Sequence, residues 1–98
     1  MAQPIYVLFM GKSTEAWHQL SQDEQRTLFD KVLAALEQAG GKNIVACDST
    51  WATEQWQFFG VHEFPDIEAV QKHTAALQAL NWFRYVDSVT TLGTKFPM

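Results

Sequence analysis

The sequence is poor in the residues that mark several common classes of protein. It has 98 residues and a single cysteine, Cys47, which excludes an internal disulfide framework and is typical of a reducing compartment. Seven Lys or Arg residues against eleven Asp or Glu give a net charge of -4, whereas nucleic-acid binding uses clustered positive charge. Residues 1–10 have no positively charged region, and their apolar run is far shorter than the roughly 20 residues of a membrane helix. The sequence therefore predicts a cytoplasmic protein with no nucleic-acid partner and no membrane partner.

Apolar residues, in contrast, are abundant. Hydrophobic residues make up 47% of the chain, and they include four Trp, seven Phe and two Tyr. This apolar content is too high for a disordered polypeptide, and a chain of this length suits one hydrophobic core rather than two. No internal repeat, low-complexity tract or linker interrupts the sequence. We therefore expect a single ferredoxin-like domain over residues 1–98, for the reasons given next.

Hydrophobic periodicity predicts four strands and two long helices. The strands are predicted at residues 5–10, 43–51, 55–64 and 86–92. The first helix follows a capping box from Ser21 to Glu24 and ends at Gly40, and the second helix follows Asp66 as its N-cap. Because only residues 52–54 separate the second and third strands, these two strands are predicted to form an antiparallel hairpin.

Each helix carries one apolar stripe that has to be buried. The stripe of the first helix is Leu28, Phe29, Val32, Leu33 and Leu36, and that of the second is Ile67, Val70, Thr74, Leu77 and Leu80. The order βαββαβ is the split βαβ arrangement of a ferredoxin-like fold. The predicted fold class is therefore α+β, a four-stranded antiparallel sheet with both helices on one face.

The strands are apolar on both sides, although the helices can cover only one face of the sheet. In the first strand one face carries Ile5, Val7 and Phe9, and the other carries Tyr6, Leu8 and Met10. An uncovered apolar face of roughly several hundred Å² is more than monomers usually expose. A second copy packed sheet to sheet about a two-fold axis would cover this face. We therefore expect a homodimer.

Two short segments resemble a known superfamily. They are the Phe64-Pro65-Asp66 break before the second helix and the pattern Trp17, Leu20, Ser21, Glu24 and Phe29. Together with the element order, they resemble the dimeric α/β-barrel superfamily, in which two ferredoxin-like subunits enclose a barrel. Antibiotic-biosynthesis monooxygenases, stress-response barrel proteins and haem-degrading oxygenases have this form, and the second pattern also resembles small uncharacterised members. The resemblance implies the fold and a dimer, and it transfers no catalytic residue.

His62 is predicted on the same face of the third strand as Phe58 and Phe64. If this face borders a cavity between helices and sheet, a neutral imidazole there could act as a general base near pH 7. The alternative is a half-exposed histidine at a strand end that bonds to a backbone group.

His73 lies between Val70 and Leu77, within or beside the apolar stripe of the second helix. A polar ring there needs a hydrogen-bond partner or a nearby cavity. In the haem-degrading oxygenases that the sequence resembles, a histidine on the second helix ligates iron, with an Asn on the first strand and a Trp at the end of the third. This first strand has no Asn, and Glu63 or Phe64 stands where the Trp would be. A haem-binding protein is therefore a third alternative, next to a hydrogen-bonded histidine at the edge of the core.

Asp48 is an acidic residue within an otherwise apolar to neutral second strand. A tight hairpin places it opposite Phe58 and places Ile44 opposite His62, about 13 Å further along the ladder. This separation excludes a direct acid–base pair between Asp48 and His62. Asp48 is then either a lone base, whose pKa is raised by burial against Phe58 and Trp56, or a charge that protects an edge strand from aggregation.

Metal ligands do not occur at a recognisable spacing. The three histidines are at positions 18, 62 and 73, and Cys47 has no cysteine partner. His62 and Glu63 are neighbours on a strand, so their side chains point to opposite faces. The sequence predicts no metal and no resident cofactor.

The candidate residues together predict a pocket for a small apolar or aromatic molecule. The candidate catalytic residues are His62, His73 and Asp48, and the candidate ligand-binding residues are Trp56, Phe58, Tyr6 and Trp17. A cofactor-independent oxygenase or isomerase would need such a dry pocket with one or two polar groups. The alternative is a non-catalytic module that binds a ligand or another protein, because a fold does not determine a function.

Overall fold

The predicted order of strands and long helices is confirmed, and two short helices join it. The computed structural model describes residues 3–53 and 55–97. The strands are β1 (Ile5–Ser13), β2 (Lys42–Asp48), β3 (Phe58–Phe64) and β4 (Val86–Gly93). The long helices are α2 (Gln22–Gln38) and α3 (Ile67–Ala79), and the short ones are α1 (Glu15–His18) and α4 (Trp82–Tyr85). Within the described ranges, no helix combines the length and the apolar character needed to cross a membrane.

The four strands form one antiparallel sheet in the order β2-β3-β1-β4. This order, with α2 between β1 and β2 and α3 between β3 and β4, confirms the ferredoxin-like α+β fold. β1 continues past its predicted end at Met10 to Ser13. Gly11 does not end the strand, because it pairs with Phe58 on one side and with Ser88 on the other.

The start and end of α2 are those predicted. Ser21 Oγ accepts a hydrogen bond from the Glu24 amide at 3.1 Å, and Glu24 Oε1 accepts one from the Ser21 amide at 2.9 Å. This reciprocal pair is the predicted capping box. Gly40, with a φ of 84°, takes the left-handed conformation that ends the helix.

The second long helix also starts at the predicted cap. Asp66 Oδ1 accepts a hydrogen bond from the Ala69 amide at 2.8 Å, which satisfies one of the unpaired donors at the N-terminus of α3. Residues 82–85 do not continue α3 but form the separate helix α4. Asn81 separates the two, since its left-handed backbone (φ 60°) turns the chain.

The connection between β2 and β3 is longer than predicted. The predicted register of Asp48 opposite Phe58 is correct, but this pair is the last of the ladder rather than a middle pair. Residues 49–57 therefore form the connection, instead of residues 52–54 alone. The prediction was wrong because it extended strand pairing through a segment that makes its own hydrogen bonds.

Those local hydrogen bonds involve both ends of the connection. The Asp48 carboxylate accepts from the amide and the hydroxyl of Thr50, at 2.9 and 2.7 Å. Buried Ser49 donates its hydroxyl to the carbonyl oxygen of Trp56 at 2.9 Å. Side chains that bond to nearby backbone groups compete with the ladder of a sheet, so the strands end at these residues.

A β-bulge changes the far end of the same hairpin. The register shifts between Asn43 and Val45, so Asn43 pairs with His62. Ile44, which was predicted opposite His62, occupies the bulge. The prediction was wrong because one extra residue in a strand moves every residue beyond it by one position.

The hydrophobic core lies at the end of the sheet where β3 leads into α3. Phe64, only 1% exposed, is its largest fully buried side chain. The core cluster comprises Val7, Leu36, Ala39, Phe64, Ala69 and Val70. The predicted stripes are thus correct at Leu36 and Val70, and also at Leu77, which is buried.

The outer parts of both predicted stripes are not buried. Phe29, Leu33 and Ile67 are 48%, 50% and 49% exposed, and Thr74 is exposed as well. The small side chains of Ala35, in the last turn of α2, and Ala39, its C-cap, are buried instead. The buried face of each helix is therefore narrower than its apolar stripe.

The two faces of the sheet differ in what lies over them. One face carries Val7, Phe9, His62 and Phe64 and packs against the helices. The described part of the chain places no element over the opposite face, which we call the open face. The apolar residues of the open face are Tyr6, Leu8, Met10, Val45, Cys47, Phe59, Val61 and Val89.

Candidate functional site

A continuous group of aromatic rings lies on the helix side of the sheet. Phe9 is central, with its ring centroid 4.5 Å from that of His62 and 6.3 Å from that of Phe58. His62 also contacts Phe64 and His73, at 6.2 and 5.9 Å. We call these five residues the aromatic row. It joins the fully buried core at Phe64 to the half-buried rings near the β2–β3 connection.

Two glycines make room for the phenylalanines of the row. Gly11 and Phe58 are direct partners on β1 and β3, and so are Phe9 and Gly60. A Cβ atom at Gly60 would lie 2.6 Å from the Phe9 ring, and one at Gly11 would collide with the Phe58 ring. Each phenylalanine therefore covers the glycine of the opposite strand, a close approach that only glycine permits.

The row is open towards β2. Ala46 and Asp48 are the β2 residues that pair with Gly60 and Phe58, and both are exposed. Phe9, Phe58 and the two histidines keep part of their surface accessible. The accessible parts of these rings form a surface beside β2 and α3, which we call the histidine cleft.

His62 and His73 approach each other from different elements, β3 and α3. Their ring planes are nearly perpendicular, at 80°, and the His73 ring also lies 5.3 Å from that of Phe64. The prediction that both histidines face the space between helices and sheet is consistent with this geometry. Their closeness to each other was not predicted.

Both histidines are held in the neutral form. Burial, together with a smaller contribution from the neighbouring His73, lowers the pKa of His62 to about 4. Burial also lowers the pKa of His73 below 6.5. The general base near pH 7 at His62 stays a prediction, and the lowered pKa argues against it, since proton acceptance is most effective when the pKa is near the working pH.

Asp48 does not belong to this pair of histidines. Its side chain is exposed, and the hydrogen bonds from the Thr50 amide and hydroxyl lower its pKa. The predicted rise in pKa by burial against Phe58 and Trp56 is wrong, because the carboxylate bonds within its own turn instead of facing the rings. The geometry favours the alternative reading of an edge-strand charge.

The predicted ligand-binding residues are dispersed over the molecule. Phe58 lies in the aromatic row, whereas Trp56 belongs to the β2–β3 connection, where the Lys12 ammonium lies 5.9 Å from its ring. Tyr6 is on the open face, with the Lys95 ammonium 5.8 Å from its ring. Trp17 contacts Trp82 edge-on at 5.9 Å, between α1 and α4.

Phe9 and Gly60 were not predicted as members of the site, and Asn43 was not predicted as the partner of His62. Phe9 and Gly60 carried a usable signal, because the correct register of an antiparallel β1–β3 pair places them opposite each other. Asn43 reaches its position through the bulge, which no residue pattern indicated. Among the described residues, no group of three His, Cys, Asp or Glu side chains is close enough to hold a metal ion.

Two other features lie away from the histidine cleft. At the end of β1, Ser13 Oγ is 2.9 Å from His18 Nε2 and 3.1 Å from Gln57 Oε1. A shallow groove of about 510 Å³ lies between α2 and the end of α3, with Leu28 and Leu80 among its lining residues. Neither feature contains a residue of the aromatic row.

The strand order, the helices on one face and the apolar open face define the class of protein. It is an α+β protein with a ferredoxin-like fold. Residues 5–98 match the Family of unknown function (DUF6616), and the chain belongs to this family. No curated protein matches the sequence.

Solved structures of two proteins have a similar fold. Chlorite dismutase from Candidatus Nitrospira defluvii, solved as a point mutant, gives a TM-score of 0.76 at 22% identity, over 99% of this chain and 42% of its own. This chain thus spans less than half the length of that protein. A protein of unknown function from Rhodopseudomonas palustris gives a TM-score of 0.67 at 16% identity, over 100% of this chain and 86% of its own. Its methylated form gives 0.66 at 15%, over 98% and 83%. At these identities the similarity shows the fold alone.

Proposed function

We propose that this protein is a homodimer in which each subunit binds a small planar aromatic or apolar molecule in the histidine cleft. The observation that carries the proposal is the position of Phe9, which lies between Phe58 and the two neutral histidines. Ligand sites combine apolar walls with a few polar groups. Here the phenylalanine rings provide the walls, and His62 and His73 provide the polar groups.

The same geometry favours binding over catalysis. With a pKa of about 4, His62 is a weak proton acceptor at pH 7. Asp48, the other candidate base, bonds to Thr50 and faces solvent. A ligand-binding role needs no proton transfer, so the non-catalytic alternative fits these residues better than an oxygenase or isomerase does.

The homodimer is supported by the open face. Leu8, Val45 and Phe59 are 43%, 43% and 39% exposed there, although they alternate with residues that face the helices. A second copy is the occupant we propose, because a two-fold axis lets the same patch cover itself. Light scattering is expected to give twice the 11.2 kDa of one chain, and a mass of one chain would contradict the dimer.

Haem is a second candidate ligand because His73 is a neutral imidazole on α3 in apolar surroundings. The fit is limited by space. The His73 ring packs against Phe64 at 5.3 Å and His62 at 5.9 Å, so a macrocycle bound to His73 would need space beside both rings. This geometry favours the smaller aromatic ligand. Titration with haemin tests the point, since a Soret shift that is lost in His73→Ala would favour haem instead.

Indole is a suitable probe for the proposed site. We expect it to shift the ring signals of His62 and His73 in NMR spectra. Phe9→Leu should weaken binding about fivefold, since an aromatic contact contributes about 1 kcal/mol. Phe59→Leu is the matched control, because it makes the same change on the open face. The proposal fails if indole leaves both histidine signals in place, or if the two variants weaken binding equally.

A further inference from the structure

The polar end of the histidine cleft has unused hydrogen-bonding capacity. Among the described residues, the ring of His18 bonds to Ser13, whereas no hydrogen bond to the protein holds the rings of His62 and His73. No described side-chain nitrogen or oxygen is both sealed from solvent and unpaired. The ring nitrogens are therefore accessible, and each neutral imidazole offers one donor and one acceptor.

The β-bulge adds a third polar group at this end. Because the register shifts at Ile44, the residue that pairs with His62 is Asn43. Asn43 is exposed, and its amide carries both a donor and an acceptor. An unbroken ladder would have paired His62 with an isoleucine, so the bulge makes the rim of the cleft more polar at the histidines.

Among the described residues, no lysine or arginine lies over a ring of the aromatic row. The ammonium groups that do lie over aromatic rings are those of Lys12, at Trp56, and Lys95, at Tyr6. The charged group on the helix side of neighbouring β2 is the carboxylate of Asp48. Lys12 lies over the ring of Trp56, beyond this pair of histidines.

We infer that the histidine cleft selects an uncharged aromatic molecule that carries a hydrogen-bonding group, and that it excludes aromatic carboxylates. The inference rests on the proposed function and specifies its ligand class. A ligand without a polar atom leaves the histidines and Asn43 without partners once water is displaced. A carboxylate loses its hydration in the cleft and finds no cation to replace it.

Three compounds of similar shape test this selectivity at pH 7 by calorimetric titration of the wild-type protein. They are indole, benzothiophene, which lacks the N–H group, and indole-2-carboxylate, which carries a negative charge. Indole is expected to bind about tenfold more tightly than benzothiophene, as one net hydrogen bond of about 1.4 kcal/mol allows. Indole-2-carboxylate is expected to bind at least about tenfold more weakly than indole.

Substitution of the histidines identifies the groups responsible. His62→Phe and His73→Phe should each reduce the preference for indole over benzothiophene while benzothiophene still binds. His18→Phe, the same change outside the cleft, should leave the preference intact. Equal affinity for indole and benzothiophene, or tight binding of the carboxylate, overturns the inference and leaves the proposed site standing. If none of the three compounds binds, the proposed function itself is wrong.

Discussion

The two faces of the sheet are built from similar residues and have different properties. On β1, Val7 and Phe9 face the helices, whereas Leu8 and Met10 belong to the open face. Both faces are apolar, but the two imidazole rings of His62 and His73 lie among the apolar groups of the helix side. In the proposed function, the open face is buried by the sheet of a second subunit, and the helix side keeps polar groups for recognition of a ligand.

The largest expected effect is on the open face. Leu8→Lys places a charge in the middle of the proposed interface, where an unpaired charge is not tolerated. We expect the dimer to dissociate, and light scattering to give the mass of one chain. Gln71→Lys on the exposed side of α3 makes the same addition of charge and should leave the dimer intact. A dimer that persists in Leu8→Lys would mean that subunits associate through another surface.

Alanine substitution of one phenylalanine on each face compares their contributions to folding. Phe64 is 1% exposed within the core, so Phe64→Ala should lower the free energy of unfolding by about 3 to 5 kcal/mol. Phe59→Ala should cost less, because Phe59 is 39% exposed within one subunit. Urea unfolding at one fixed protein concentration measures both. Equal losses would mean that the dimer interface stabilises each subunit as strongly as the core does.

The glycine beneath Phe58 provides a smaller and more local test of the helix side. Gly11→Ala should destabilise the fold by about 1 to 3 kcal/mol, because the new Cβ collides with the Phe58 ring. In a Phe58→Ala background the same change should cost much less, since the ring is absent. Urea unfolding of the four proteins gives the coupling between the two positions. Additive costs would show that Gly11 is required for another reason.

The smallest expected effect is a change in how stability depends on pH, and it arises from His62 on the helix side of the sheet. The folded pKa of His62 lies at about 4, below the value of 6.5 expected for an unfolded chain. Its contribution to stability is thus complete above pH 6.5 and is lost as the pH falls from 6.5 towards 4. His62→Phe should flatten the dependence of Tm on pH in this window, whereas His18→Phe should not. If His62→Phe leaves the dependence of Tm on pH unchanged, His62 of the wild-type protein is readily protonated in the folded state.

Much of the fold could be predicted from the sequence because its determinants are local. The capping box at Ser21, the N-cap at Asp66 and the glycine stop at Gly40 each act within one helical turn. The errors occurred where non-local or competing interactions decide. Asp48 bonds to Thr50 in place of extending a strand, and nothing in the apolar pattern around Ile44 indicated a bulge.

The site could be predicted where its determinants are local, within one strand or one helix. The alternation of β3 places His62 on the helix side, and the helical period places His73 on the inner arc of α3. Their contact depends on how far α3 slides along the sheet, which is set by the packing of Phe64, Ala69 and Val70. The exposure of Asp48 could not be read from its apolar neighbours, because β2 is an edge strand in which six of the seven residues are exposed.

The paired arrangement of phenylalanines over glycines has a consequence for how related chains can diverge. A side chain larger than hydrogen at position 11 is acceptable only when the ring at position 58 is replaced by something smaller, whereas at position 60 the backbone oxygen of Val45 blocks a Cβ atom even without the Phe9 ring. Related sequences should therefore change at positions 11 and 58 together and keep glycine at position 60. Members that have lost either ring have also lost a wall of the cleft, so this linked variation would identify which relatives can still bind the same kind of molecule.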